Sequence, residues 1–375
     1  MPRIPVNGAV LRWALDDADV AVDEIAQITG RSAQTIEAWM AETEDSPNKG
    51  DLEKIAKRVG RSLQFFLLPA PPAATPNTIR FRAAIEGESV DPPAELGAVR
   101  KAGGAQKLAR WAAEVNSSAA VSLPQPGSDP IEFATTMRDF LAWSYQDQVN
   151  ATSKSAAYKG LRAAIERLGI VVLYIAAGRS NCRGFSLPDG LAPVITLNSA
   201  YNLASLKSFT LLHELAHLAA GTAAICHDPS SSEEKWCDDF ASAFLLPEQH
   251  LRNYFEYKGW ATVSVGEIDD RIRLISNRYN ASWQAVAIRL RQLGLTDQTV
   301  VDKVFEASNE VIRGFSPDGG RTRPLIRLDE YGATFTRAVV TLRNTNQLSE
   351  FDARQQLNVN RAEFEQIKSL LLGAG

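Results

Sequence analysis

The residues best placed to do chemistry lie in SFTLLHELAHLAAG, residues 208 to 221. Two of the chain's four histidines, His213 and His217, stand four residues apart, with Glu214 directly after the first. On an α-helix that spacing stacks side chains one above the other, so both imidazoles can reach one metal ion while Glu214 points just beside it. This HExxH arrangement suits Zn²⁺ with a coordination position open to water, and Glu214 is placed to act as general base on that water. The competing reading is a helix with two incidental imidazoles, and so few histidines in 375 residues make that coincidence rare.

Two histidines leave such a centre one ligand short. The next helical stretch, SSSEEKWCDDFASAFLLP, carries Trp236, Phe240, Phe244, Leu245 and Leu246 toward one buried side and ends at Pro247. Glu233 and Glu234 both fall in its first turn. Glu234 is the better third ligand, because Asp238 lies one turn further on the same face, where it can accept a hydrogen bond from the far nitrogen of a ligating imidazole. In the absence of a metal the same acids would be a solvated helix start favoured by the helix dipole. Zinc is the metal that these ligand types favour, and manganese or iron fits the same set.

The elements that must position these groups change character along the chain. Residues 8 to 70 have apolar positions at helical spacing, and VDEIAQITGRSAQTIEAW has the form of a helix-turn-helix. Gly30 supplies its turn, Ser32 is the expected N-cap of the second helix, and Ile25, Ile28, Ile36 and Trp39 face a common core. Ser32, Gln34 and Thr35 then point outward beside Glu37, while Arg31, Lys54, Lys57 and Arg58 are the cations available to phosphates if DNA is the partner. Residues 1 to 70 hold eight Lys plus Arg against eleven Asp plus Glu, an unusual balance for a nucleic-acid binder and one that equally fits a helical protein-interaction bundle. A Pro-bearing linker spans about 71 to 95. Helices are expected over about 96 to 122, 131 to 146 and KSAAYKGLRAAIERLG. IVVLYIAA, CRGFSL and APVITLN then read as three short strands directly before the histidine helix. The resulting fold class is α+β and mostly helical: a helix-turn-helix bundle, a domain with a small sheet and the HExxH helix at 96 to 300, and helices from 301 to 375.

The segment LKSFTLLHELAHL, followed by EKWCDDFASAFLLP, resembles the zinc-peptidase core of the ImmA/IrrE metallo-endopeptidases, and ITLN with Asn198 is similar to that family's lead-in strand. The resemblance implies a zincin-like domain with His213, His217 and Glu234 as metal ligands and Glu214 as catalytic base. VLRWALDDADVAVDEIAQITGRSAQTIEAW resembles the Cro/C1-type helix-turn-helix fused ahead of such peptidases. ASWQAVAIRLRQLGL is similar to the helix closing the catalytic domain, and the tail from about 325 to a small unit ending the longer members. Two departures stand out. MAETEDSPNKG follows Trp39 where an acidic residue and a glycine are usual, and Lys207, three residues before the Thr-Leu of the metal helix, is a mild change among the basic residues often found there.

The resemblance implies a regulatory endopeptidase that cuts a helix-turn-helix repressor in a stress response or mobile-element induction, with DNA a further partner through residues 1 to 70. The rival reading is a DNA-binding regulator or antitoxin whose zinc domain senses metal or redox state without proteolysis. His227, Tyr201, Tyr254 and Tyr257 are the candidates to stabilise an oxyanion. Cys226 and Cys237 read as small buried residues in preference to a thiolate masking the metal. Three cysteines are too few for a disulfide framework, and no run reaches the roughly 18 to 20 apolar residues of a membrane span, so a cytoplasmic, reducing setting is expected. The net charge of -4 draws the chain to neither nucleic acid nor anionic lipid.

Overall fold

The computed structural model describes residues 3–18, 20–43, 46–61, 63–71, 92–178, 182–222, 231–311 and 320–373. Most of the expected linker, together with Cys226 and His227, lies outside them. Contacts divide the chain into one unit of Met1–Gly104 with Ile175–Cys182 and a second of Ala105–Tyr174 with Arg183–Gly375.

The first unit opens with four helices, α1 (Gly8–Asp17), α2 (Val22–Thr29), α3 (Ala33–Ala41) and α4 (Lys49–Arg58), then a 3₁₀ turn at Leu63–Leu67. Gly30 ends α2 at φ 71°, a left-handed conformation that glycine adopts without a Cβ penalty, and Ser32 caps α3 by accepting from the Thr35 N–H. Leu11, Ile25, Ile36, Trp39, Leu52, Ile55 and Phe66 form the core. Ile28, expected within it, is half-buried at its margin.

Helix α5 (Pro92–Val115) runs across the division between the units. It stops at Val115 instead of near 122, because Ser117 takes a left-handed φ of 51°. The helix expected over 131 to 146 is two: α6 (Pro130–Phe140) and α7 (Tyr145–Val149). Ala142 at φ 47° breaks the helical path between them, and Ser144 with Asp147 forms a capping box that starts α7. Helix α8 (Lys154–Glu166) then leads into β1 (Val171–Ile175), β2 (Gly184–Leu187) and β3 (Val194–Asn198). The sheet order is β1-β3-β2, with β2 antiparallel to β3, Gly184 opposite Leu197 and Ser186 opposite Ile195.

The remaining helices are α9 (Ala204–Ala220), α10 (Ser232–Leu245), α11 (Glu248–Lys258), α12 (Arg273–Tyr279), α13 (Trp283–Gln292), α14 (Gln298–Val311), α15 (Arg323–Asn344), α16 (Glu350–Leu357) and α17 (Arg361–Gly373). The fold is thus α+β and mostly helical. Helix α9 packs on α8, α10, β2 and β3, so the expected metal helix is the centre of the second unit. Leu211, Leu215, Phe240, Phe244, Ile275, Tyr279 and Val286 belong to its core.

Helix α15 is kinked at Gly332, whose φ of 72° and ψ of 165° are not helical. A Cβ there would lie 2.2 Å from Glu166 Oε1 and 2.6 Å from the Val172 carbonyl oxygen. The buried Arg162 donates to the carbonyls of Asp329 and Val172, and the Thr334 hydroxyl donates to the Glu166 carbonyl. These bonds join the C-terminal helices to α8 and β1.

Among the described residues no helix is long and apolar enough to cross a membrane. Cys182 is disulfide-bonded, whereas Cys237 is free and buried.

Candidate metal centre

Leu211, Leu212, Leu215, Ala216, Leu218 and Ala219 bury most of the circumference of α9, leaving one strip for polar groups. On that strip His213 and His217 place their Nε2 atoms 3.2 Å apart. Helix α10 brings the third group. Its cap Ser231 accepts from the Glu234 N–H, which sets Glu234 three residues into the helix, and its carboxylate spans the two rings. Oε2 lies 3.0 Å from His213 Nε2 and Oε1 lies 3.2 Å from His217 Nε2.

These separations would let His213, His217 and Glu234 hold one divalent ion. Ligand distances of about 2.0–2.1 Å give ligand–ligand edges of about 3.3 Å. One ligand atom from each of the three residues lies within 4.8 Å of the others, and this is the candidate metal-binding group among the described residues. His217 is fully buried, whereas 15% of the His213 side chain and 13% of Glu234 remain exposed, so the group opens toward solvent on the His213 and Glu234 side.

Each imidazole also has a carboxylate behind it. Asp238 Oδ1 lies 2.9 Å from His213 Nδ1, and Glu233 Oε1 lies 3.3 Å from His217 Nδ1. With protons on both Nδ1 atoms, the two Nε2 lone pairs face one another beside a carboxylate, and a shared cation turns that repulsion into attraction. The donor set therefore fits a divalent metal. Free of metal, the same surroundings favour a proton: burial opposes charge on His213, but Asp238 and Glu234 outweigh it and hold its pKa up at about 10. Burial likewise pushes Glu234 up, and hydrogen bonds from His213 and His217 overcome it, leaving the carboxyl well below the usual range.

The sequence offers Glu233 only as an alternative ligand and gives Thr222 no role, so the pairing of His217 comes from the structure. Gly221 ends α9 in the left-handed conformation, and the turn places the Thr222 hydroxyl 3.3 Å from His217 Nδ1 and in position to donate to Glu233 at 2.8 Å. A glycine followed by threonine just past the second histidine was the available signal.

Glu214 follows His213 on α9, with its Cγ close to Gly184 of β2. It is buried, and among the described residues no group pairs with its Oε2. Burial raises its pKa, with the two histidines pulling it back. Cys237 is buried between Glu234 and Asp238 in sequence, and burial pushes its thiol up, so it is no thiolate.

Residues 165–291 match the Peptidase_M78 family model, the IrrE N-terminal-like domain. The matched region runs from the end of α8 through the sheet, α9 and α10 into α13, and so contains every group just described. The similarity of this stretch to a peptidase family supports peptidase chemistry for the centre. No curated protein and no solved structure matches the chain.

Other residues expected to contribute lie elsewhere. Tyr254 and Tyr257 line a concavity of about 430 Å³ with Tyr145, Gln146, His250, Asn253 and Arg278, none of them a member of the metal group. Tyr201 sits in the turn after β3, its N–H donating to the Asn198 carbonyl. In the first unit Ser32 and Gln34 are exposed and Thr35 half-buried. Arg31 is bound to Asp51 at 2.9 Å and Arg58 to Glu24, so two of the four cations expected to face phosphates are engaged within the fold.

Proposed function

We propose that the chain is a zinc-dependent endopeptidase in which His213, His217 and Glu234 hold the metal and Glu214 is the general base. One observation carries this reading: a buried carboxylate, one oxygen of which has no hydrogen-bond partner among the described residues, stands next to a converging His, His, Glu set. The metal supplies Lewis acidity, polarising a peptide carbonyl and lowering the pKa of water. Asp238 holds His213, and Glu233 with Thr222 holds His217, in the tautomer that presents Nε2 to the metal. Glu214 takes a proton from the attacking water and passes it to the departing amine, and its burial strengthens it as a base.

The substrate that best fits a peptidase joined to a helix-turn-helix unit is a repressor of that same type, whose cleavage alters transcription. The intramolecular pairing of Arg31 and Arg58, with the acidic balance of residues 1 to 70, favours a protein partner over DNA. The test is to incubate the zinc-loaded full chain with helix-turn-helix repressors encoded nearby and to follow cleavage by mass spectrometry. Wild type is expected to cut one of them at a defined bond and Glu214→Ala to cut none. Equal cleavage by both would sink the proposal.

A further inference from the structure

Strand β2 presses its backbone against α9 at the position of Glu214. A Cβ on Gly184 would lie 2.7 Å from Thr210 Cγ2, 2.9 Å from the Thr196 carbonyl oxygen and 3.3 Å from Glu214 Cγ. Alternate residues of a strand share a face, so Ser186 lies on the same side as Gly184, and its cross-strand partner Ile195 and Leu197 opposite Gly184 complete that face. Gly184, Leu197 and Ile195 are apolar. Ser186 alone brings a polar side chain there, and it is completely buried.

A buried hydroxyl without a partner is destabilising, because it has given up its hydrogen bonds to water. Ser186 Oγ and Glu214 Oε2 are both buried, and neither meets hydrogen-bond geometry with another group among the described residues. One is a rotatable donor and the other an acceptor with lone pairs to fill. The two side chains are close enough for the hydroxyl to act on the carboxyl.

We propose that Ser186 is a positioning residue for Glu214, its hydroxyl closing on Oε2 so that the other carboxylate oxygen is held toward the reacting water. The assignment rests on Glu214 being the base. A hydroxyl suits the task in both states of the carboxyl, because it donates to the ionised form and can accept from the protonated one. Thr196 is excluded from the role: its hydroxyl is also buried and unpaired, but it stands opposite Phe185 on the other face of the strand pair.

The experiment is a double-mutant cycle on the full chain with Ser186→Ala, Glu214→Gln and the pair, plus Ser186→Thr as the conservative variant. Two readouts are taken: turnover of a quenched fluorescent peptide pool, and binding of acetohydroxamate to the Co²⁺-loaded protein followed by its visible spectrum. The hydroxamate gives up a proton to a neighbouring base when it chelates, so its affinity reports Glu214 without turnover.

Ser186→Ala is expected to lower kcat roughly tenfold with KM nearly unchanged, to weaken acetohydroxamate about fivefold to tenfold, and to leave Co²⁺ affinity alone. In the Glu214→Gln background it is expected to change neither readout further, and Ser186→Thr should recover most of the loss. Additive effects in the two backgrounds, or wild-type behaviour of Ser186→Ala, overturn the assignment. Absence of peptide turnover by wild type, with coupling still present in hydroxamate binding, would instead defeat the peptidase reading and leave the Ser186 assignment standing.

Discussion

Glu214 and Glu234 are the same residue type set to different tasks by their surroundings. Glu234 bridges two imidazoles and is held ionised, whereas Glu214 is buried against a strand and is raised. If the proposed roles hold, Glu234→Gln and His217→Ala should each weaken zinc by more than about 100-fold, since losing a group behind a ligand already costs about 10–100-fold. Glu214→Gln should bind zinc like wild type while losing cleavage, and Asp238→Asn should cost roughly tenfold in zinc affinity; competition with a chromophoric chelator measures all four. Removing the metal exposes a pH dependence. The pKa of His213 is raised to about 10 from an ordinary 6.5, so the proton it gains adds stability that is fully present below about pH 6.5 and is lost as pH rises through about 10. Thermal unfolding of the chelated protein should therefore show a Tm that falls between roughly pH 7 and 10, and His213→Ala should flatten that fall.

At the scale of elements, placement depends on a few backbone positions. The kink of α15 at Gly332 lets the chain pass against the buried Arg162 and Glu166. Gly332→Ala combines a left-handed φ with a Cβ that has no space, and it should destabilise the protein by on the order of 3 kcal/mol in urea unfolding. Gly103 and Gly104 in α5 supply the contrast. A Cβ at either meets nothing within 4 Å, so Gly103→Ala should stabilise by about 0.5–1 kcal/mol. Much of this layer was readable in the residues: the three strands and helices α9 and α10 follow from the spacing of their residues, and α13 from its resemblance to a family helix. The break between α6 and α7 was not, because Ala142 is an ordinary helix former held at φ 47° by its surroundings.

For the whole molecule, a metal held at a convergence of α9 and α10 binds the folded chain and not the unfolded one. Free zinc at 100 times its dissociation constant should stabilise by about 2.7 kcal/mol and raise the Tm of the second unit by about 5 °C, readable by calorimetry with and without chelator. His217→Ala should abolish the increment.

What the sequence by itself determined is local. A four-residue spacing on a helix obliges His213 and His217 to share a face, and a serine before two glutamates starts the helix that carries Glu234, because both follow from helical geometry within one or two turns. The tertiary structure alone decided that Glu233 and Thr222 stand behind His217, that the backbone of Gly184 presses against Glu214, and that Gly332 must have no side chain. Each of these depends on segments separated along the chain meeting in a packed core, where distance in sequence carries no information about distance in space.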